Sequence, residues 1–223
     1  MIIHAKKSIL LFRTIACLAV MFFAFDPALH AQEDTLLKRF DAIKPDSAKA
    51  AAILKEGYAT RGNAPKTAFI LANAAIDISS AIQFLPGLID GLNLIGIIKN
   101  DIGEYDLAIE NHMKALEFSE SIKDNFRISA SLNYIGNVYQ SQNNPGEAIQ
   151  FYQKSLGYAE KSAKDNQILN NLYKLGLIYE SLDSLQLAYK FYKRSLLIEE
   201  QTRNKEGMFY SLIGIGSVST KRG

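Results

Sequence analysis

Leu132-Asn133-Tyr134-Ile135-Gly136-Asn137-Val138-Tyr139 and, forty residues on, Leu172-Tyr173-Lys174-Leu175-Gly176-Leu177-Ile178-Tyr179 share one frame, L-x2-[IL]-G-x2-Y. The frame extends in both directions. Gly96, Gly136, Gly176 and Gly216 fall at a spacing of 40, each with Leu four residues before it and Ile or Leu one before. Ala108, Ala148 and Ala188 follow the first three glycines by twelve residues; Ala115, Ser155 and Ser195 follow them by nineteen. Between 131–170 and 171–210, 10 of 40 positions are identical with no gap. Self-similarity at a fixed period of this length marks a repeat array.

Within one period the apolar residues keep helical spacing. Leu132, Ile135, Val138 and Tyr139 form one stripe, and Ala148, Phe151, Tyr152, Ser155, Leu156 and Ala159 a second. Gln142-Asn143-Asn144-Pro145-Gly146 separates them; the other copies carry Asp101-Ile102-Gly103 and Leu182-Asp183-Ser184 at that place. The unit therefore reads as helix A, turn, helix B, then a polar link such as Ala163-Lys164-Asp165-Asn166. Gly on helix A and Ala on helix B are expected to let two backbones approach, which offsets the roughly 1 kcal/mol helix cost of Gly relative to Ala. The fold class is all-α.

This pattern resembles the tetratricopeptide repeat, whose signature is W-x2-L-G-x2-Y, then A-x3-F, then A. The matching residues are L-x2-I-G-x2-Y at 132–139, L-x2-L-G-x2-Y at 172–179, and A-x3-Y at 148–152 and 188–192. Three departures stand out: Leu replaces Trp, Glu120, Glu160 and Glu200 replace the closing Pro, and the period is 40, as in extended variants of the family. The resemblance implies a right-handed α-solenoid of helix-turn-helix repeats at about 48–87, 88–127, 128–167 and 168–207, with a partial repeat at 208–223. The first repeat is divergent, with Glu56 where the Gly would stand. Residues 32–47 read as a linker with an amphipathic helix over 34–43, stopped by Pro45.

The first 31 residues differ from the rest. Lys6, Lys7 and Arg13 precede an uncharged apolar run, Ile15 to Phe25, which Asp26-Pro27 ends before Ala31-Gln32. That is the layout of a secretory signal peptide cleaved after Ala31, and the run is short of the roughly 20 residues of a membrane span. Thr14 stands where a lipobox before Cys17 would want an apolar residue, which argues against lipidation. Cleavage would leave 22 Lys+Arg, 22 Asp+Glu, no Cys and one His, His112. An exported location, periplasmic or in the cell envelope, is expected. The whole chain has 48% hydrophobic and 22% charged residues and a net charge of +2, which gives no reason to expect nucleic acid.

Chemistry is sparse. A lone His leaves no His pair for zinc and no Cys/His dyad once the leader is gone, and no phosphate loop occurs. No metal, cofactor or catalytic residue is expected. His112 reads as a packing residue, and Glu199-Glu200 as solvated carboxylates at a helix end. Tyr139, Tyr179, Phe151, Tyr152, Phe191 and Tyr192 read as core, and Gly96, Gly136, Gly176, Gly216, Ala108, Ala148 and Ala188 as repeat-packing residues.

Binding is the better expectation, since the concave side of a solenoid is a ready surface. The resemblance puts positions three before, one after and four after the repeat Gly on that side. These are Asn93, Asn133 and Tyr173; Ile97, Asn137 and Leu177; and Asn100, Gln140 and Glu180. Paired amides such as Asn133 and Asn137 can both donate to and accept from a peptide backbone. No Lys or Arg stands at these positions, so a clamp for a terminal carboxylate is not expected. The implied function is a non-catalytic protein-interaction scaffold, either the sensory N-terminal part of a bacterial signalling protein or a stand-alone envelope adaptor. The partner is a protein or peptide. The apolar last helix is expected to promote self-association.

Overall fold

The computed structural model describes residues 35–44 and 46–222, so the leader-like stretch 1–31 lies outside the described residues. Two compact units divide the chain, 1–42 and 43–223. In the first, 35–38 are helical and the chain turns through 39–42; the amphipathic helix expected over 34–43 is no longer than this among the described residues.

The second unit is built of helices: α1 (Ser47–Thr60), α2 (Pro65–Ala81), α3 (Leu85–Asp101), α4 (Tyr105–Ser121), α5 (Asn125–Ser141), α6 (Pro145–Ser162), α7 (Asp165–Ser181), α8 (Leu185–Thr202) and α9 (Lys205–Arg222). Each packs against the next, and α1, α3, α5, α7 and α9 also contact one another in that order. This is a solenoid of hairpins, α1/α2, α3/α4, α5/α6 and α7/α8, closed by α9.

The turns repeat at half the sequence period. Gln83, Gly103, Lys123, Asn143, Ala163, Asp183 and Arg203, spaced by 20, all have positive φ between 51° and 80°. Each ends a helix in the left-handed conformation. At six of them the next residue's N–H returns to a carbonyl five residues back, as from Asn144 N to Tyr139 O at 2.9 Å and from Asn204 N to Glu199 O at 2.8 Å. That bond satisfies a carbonyl the helix would otherwise leave free. Only one of the seven is glycine, so the composition of these turns hides their geometry. The following helices start on side-chain caps where the sequence supplies them: Asp124 accepts from Arg127 N and Asn144 from Glu147 N.

The nearest neighbour of each of the first three repeat glycines is a ring from the following helix. A Cβ on Gly96 would stand 2.5 Å from the His112 ring, one on Gly136 2.7 Å from Tyr152, and one on Gly176 2.5 Å from Tyr192. Tyr152 and Tyr192 are fully buried, as are Ala108, Ala148 and Ala188. Beside them Tyr139 stacks on Phe151 at 5.3 Å and Tyr179 on Phe191 at 5.5 Å. The glycine–ring contact thus recurs in three hairpins, α3/α4, α5/α6 and α7/α8, and the stacked pair in the last two.

Gly216 is an exception. A Cβ there would meet nothing within 4 Å, whereas one on Gly214 would lie 2.7 Å from the Tyr192 ring. In the earlier repeats the ring that fills the glycine's space comes from the helix after it, and none follows α9 among the described residues. The α9 contact with α8 instead uses the position two before, occupied by Tyr134 and Lys174 in the preceding copies. Val218 is buried and Ile215 half-buried, while Phe209, Leu212 and Ile213 are more than half exposed. Glu180 ties α9 back to α7: its carboxylate accepts from Ser217 at 2.6 Å, Lys221 at 2.7 Å and Tyr192 at 3.0 Å. Burial opposes its ionisation, but these hydrogen bonds outweigh that and hold it below the usual carboxylate range.

Candidate functional site

Successive A helices touch near their N-terminal halves and leave a concavity nearer their C-terminal ends. The contact is polar. Asn93 is buried on α3, its Nδ2 donating to Ser131 Oγ at 3.0 Å across to α5. One repeat on, Asn133 Nδ2 donates to Asn170 Oδ1 at 3.1 Å and Asn171 Oδ1 at 2.9 Å. Tyr173, the third residue at this level, packs edge-on against Tyr210 of α9 with centroids 6.2 Å apart. Residues three before the repeat Gly therefore join one A helix to the next. Asn93 in particular has both amide atoms committed inside the packing and faces no groove.

The concavity is a cavity of about 320 Å³. Arg61 at the end of α1 lines it, with Ile97, Asn100 and Asp101 from α3, His112 from α4, Tyr134, Asn137, Gln140 and Ser141 from α5, and Lys174 from α7. Four of the expected groove positions, Ile97, Asn137, Asn100 and Gln140, meet here. Leu177 and Glu180 are not in its wall. The other lining residues stand outside the nine register positions. Lys174 and Tyr134 come from the position two before the Gly, one helical step from those positions. Arg61 comes from a turn in the divergent repeat, where no motif marks it.

Hydrogen bonding fixes what this wall offers. Tyr152, rising from α6, sets its hydroxyl 2.8 Å from the amide ends of both Asn137 and Gln140. A phenol has one proton, so it donates to one amide oxygen and accepts from the NH2 of the other, which leaves one NH2 group and one amide oxygen for the cavity. Lys174 holds its ammonium 5.7 Å from the Tyr152 ring centroid, and burial pushes its pKa down. Among the described residues no carboxylate pairs with it. Arg61 Nε lies 4.0 Å from Asp101 Oδ2. Lys174 and Arg61 thus bring two cations to the wall from outside the nine register positions, and only Arg61 is opposed by a carboxylate.

His112 forms the floor. It is 1% exposed, stacks on Tyr134 at 5.3 Å, and its Nδ1 lies 2.9 Å from Asn93 Oδ1. Because Asn93 donates its NH2 to Ser131, its Oδ1 is the acceptor, and His112 carries its proton on Nδ1. Burial drives its pKa down to about 3. At neutral pH it is an uncharged ring whose Nε2 is an acceptor. Asn100 Oδ1 is a second acceptor in this wall, buried and without a hydrogen-bond partner. The arrangement is donor-rich, with one unopposed cation and two recessed acceptors. Among the described residues no group of three or more His, Cys, Asp or Glu could hold a metal ion.

Glu199 also departs from the reading of a solvated helix end. It is 4% exposed, and lines a second cavity with Tyr173.

Comparison with known proteins agrees with the repeat pattern. One tetratricopeptide-repeat family model matches residues 88–161 and another matches 169–202. No curated protein matches. Among solved structures, BtubC from P. vanneervenii superposes with a TM-score of 0.69 at 15% identity, over 87% of this chain and 84% of that one. A putative kinesin light chain with TPR-like repeats from Podosopora anserina gives 0.62 at 14% identity, over 81% and 89%. A signal-transduction ATPase with a tetratricopeptide-repeat sensor from Pyrococcus horikoshii gives 0.66 at 14% identity, over 92% of this chain and 31% of that one. At these identities the likeness is one of fold.

Proposed function

From its membership of the tetratricopeptide-repeat family, we propose that this protein is a non-catalytic scaffold that binds an extended peptide segment bearing an anionic group in the cavity between α3, α5 and α7. The observation that carries this is Lys174, a half-buried ammonium with no carboxylate opposite it, set beside the amides of Asn137 and Gln140, one of which keeps its NH2 free. Donors of this kind match peptide carbonyls and a carboxylate, and the neutral wall of Tyr134 and Ile97 suits an apolar side chain. A Rap protein solved in complex with competence and sporulation factor has the same fold, with a TM-score of 0.62 at 15% identity over 74% of this chain and 48% of that one. A protein with a similar fold has thus been solved with a bound factor.

The test is selection from a random decapeptide library displayed with free or amidated C-termini. Peptides carrying a carboxylate are expected to be enriched, and Lys174→Met, which keeps the stem and removes the charge, to weaken them at least ten-fold, about 1.4 kcal/mol. Enrichment that is identical for the parent protein, Lys174→Met and Asn137→Ala would show that the groove is elsewhere.

The same reading takes the protein to act outside the cytoplasm as a sensory or adaptor module, supported by the basic and apolar leader pattern of 1–31. It also takes α9 to promote self-association, supported by the exposed Phe209, Leu212 and Ile213. Native mass spectrometry of protein recovered from expressing cells tests both. A species starting at Gln32 and a multiple of its mass are expected; an uncleaved monomer at high concentration would remove both.

A further inference from the structure

Helix positions corresponding to Glu199 in the preceding copies are Ser79, Ser119 and Ala159. Small residues suit that place, because the end of each B helix meets the start of the next A helix there. Glu199 puts a carboxylate into the crossing, and Gly207 makes the room: a Cβ at 207 would stand 2.8 Å from Glu199 Oε1 and 2.9 Å from its Cδ. The side chain is 4% exposed. Ser195 Oγ donates to Oε1 at 2.9 Å, while Oε2 is buried and has no hydrogen-bond partner. An ionised carboxylate can accept about four hydrogen bonds, and a buried charge is ordinarily paired.

Glu199 lines a cavity of about 290 Å³ between α7, the end of α8 and the start of α9. Tyr173 and Tyr210 enter the same wall, with ring centroids 6.2 Å apart and planes at 64°. Asn170 and Asn204 add amides at the rim. Two tyrosine rings and one buried carboxylate suit a group that is positively charged and partly apolar. A divalent metal would want several carboxylate oxygens, and this pocket has a single carboxylate.

We propose that this pocket binds a monovalent organic cation, a primary ammonium or guanidinium group, with Glu199 Oε2 as its ionic partner and the Tyr173 and Tyr210 rings as its walls. The chemistry fits a lysine or arginine side chain of a partner chain and equally a free alkylamine. The site is separate from the anion-binding groove, and neither reading depends on the other.

The experiment titrates the full chain with Nα-acetyl-lysine amide, Nα-acetyl-arginine amide, butylamine and uncharged Nα-acetyl-norleucine amide, following tyrosine ring resonances by NMR. Saturable shifts with the charged probes and none with norleucine are expected. Glu199→Gln should weaken them at least ten-fold, and Tyr210→Leu, at a 47% exposed residue, at least three-fold. Tighter binding of the amino-acid amides than of butylamine would assign the site to a partner's side chain; equal binding would assign it to free amines. The proposal fails if charged and uncharged probes behave alike, or if a folded Glu199→Gln variant binds as the parent does. Should Glu199→Gln not fold, unchanged binding by Tyr210→Leu overturns it. Lys174→Met leaves this titration unaltered, so failure here and failure of the groove reading are told apart.

Discussion

Truncating Tyr152 to Ala is expected to lower the stability of the array by about 3–5 kcal/mol, the usual cost of removing a large buried aromatic. The ring is fully buried and is held on two sides. Gly136 of its own hairpin lies so close that a Cβ there would be 2.7 Å from the ring, and the stem of Lys174 from the next hairpin covers it with the ammonium 5.7 Å from the centroid. The hydroxyl adds a second loss, because Asn137 and Gln140 would each give up the hydrogen bond that orients them. Tyr152→Phe separates the two contributions and is expected to cost only about 1 kcal/mol, the net worth of one hydrogen-bonding group. In a solenoid each repeat is stabilised by its neighbours. The truncation should therefore uncouple the hairpins before α6 from those after it, and a single urea transition should broaden or split. Urea denaturation followed by circular dichroism reads this directly. A loss below about 1 kcal/mol for Tyr152→Ala would mean that the ring does not join the two hairpins.

How far the sequence disclosed this arrangement differs from residue to residue. The spacing of Gly96, Gly136 and Gly176 revealed the hairpins, because a site filled by a neighbouring ring tolerates no Cβ and so repeats strictly. It did not reveal what fills the space, since the ring lies sixteen residues further on and differs between His112 and Tyr152. Asn100, Asn137 and Gln140 were legible as wall residues from the family register. Asn93 was not legible as a buried one: its helix face is similar, but it lies nearer the N-terminal half, where A helices touch and amides are consumed by Ser131, Asn170 and Asn171. Lys174 was passed over because it sits at the position that neighbouring copies fill with Tyr134 and Gly214, so no repeat pattern singles it out. Glu199 was misread for a related reason. Its burial depends on Gly207, eight residues away on another helix, and a periodicity confined to one helix cannot show that pairing.

His112 makes the second large prediction, which concerns pH. The folded protein holds this imidazole neutral, with a pKa of about 3 against 6.5 when unfolded, because burial strips the charged form of water and no carboxylate compensates. Between those values the unfolded chain binds the extra proton, so stability must fall as pH falls, by up to about 1.4 kcal/mol per unit. From pH 7 to pH 4.5 the loss from this one residue is about 2–3 kcal/mol. Other groups titrate nearby. Asp124 and Glu180 are held below the usual carboxylate range and lose their contribution only at lower pH, while Asp90 is raised, chiefly by burial, and acts in the opposite direction. A difference between two proteins isolates the histidine. His112→Tyr is the informative variant, because Tyr152 and Tyr192 occupy the same place in the next two repeats. Their hydroxyls reach the residue four after the repeat Gly, Gln140 and Glu180. The corresponding residue here is Asn100, whose buried Oδ1 has no partner, so a tyrosine hydroxyl would arrive opposite a waiting acceptor. The urea midpoint of the parent is expected to drop steadily between pH 6.5 and 4.5 while that of His112→Tyr drops by about 2–3 kcal/mol less. Parallel pH profiles would mean that the imidazole takes up its proton in the folded protein much as it does in the unfolded chain.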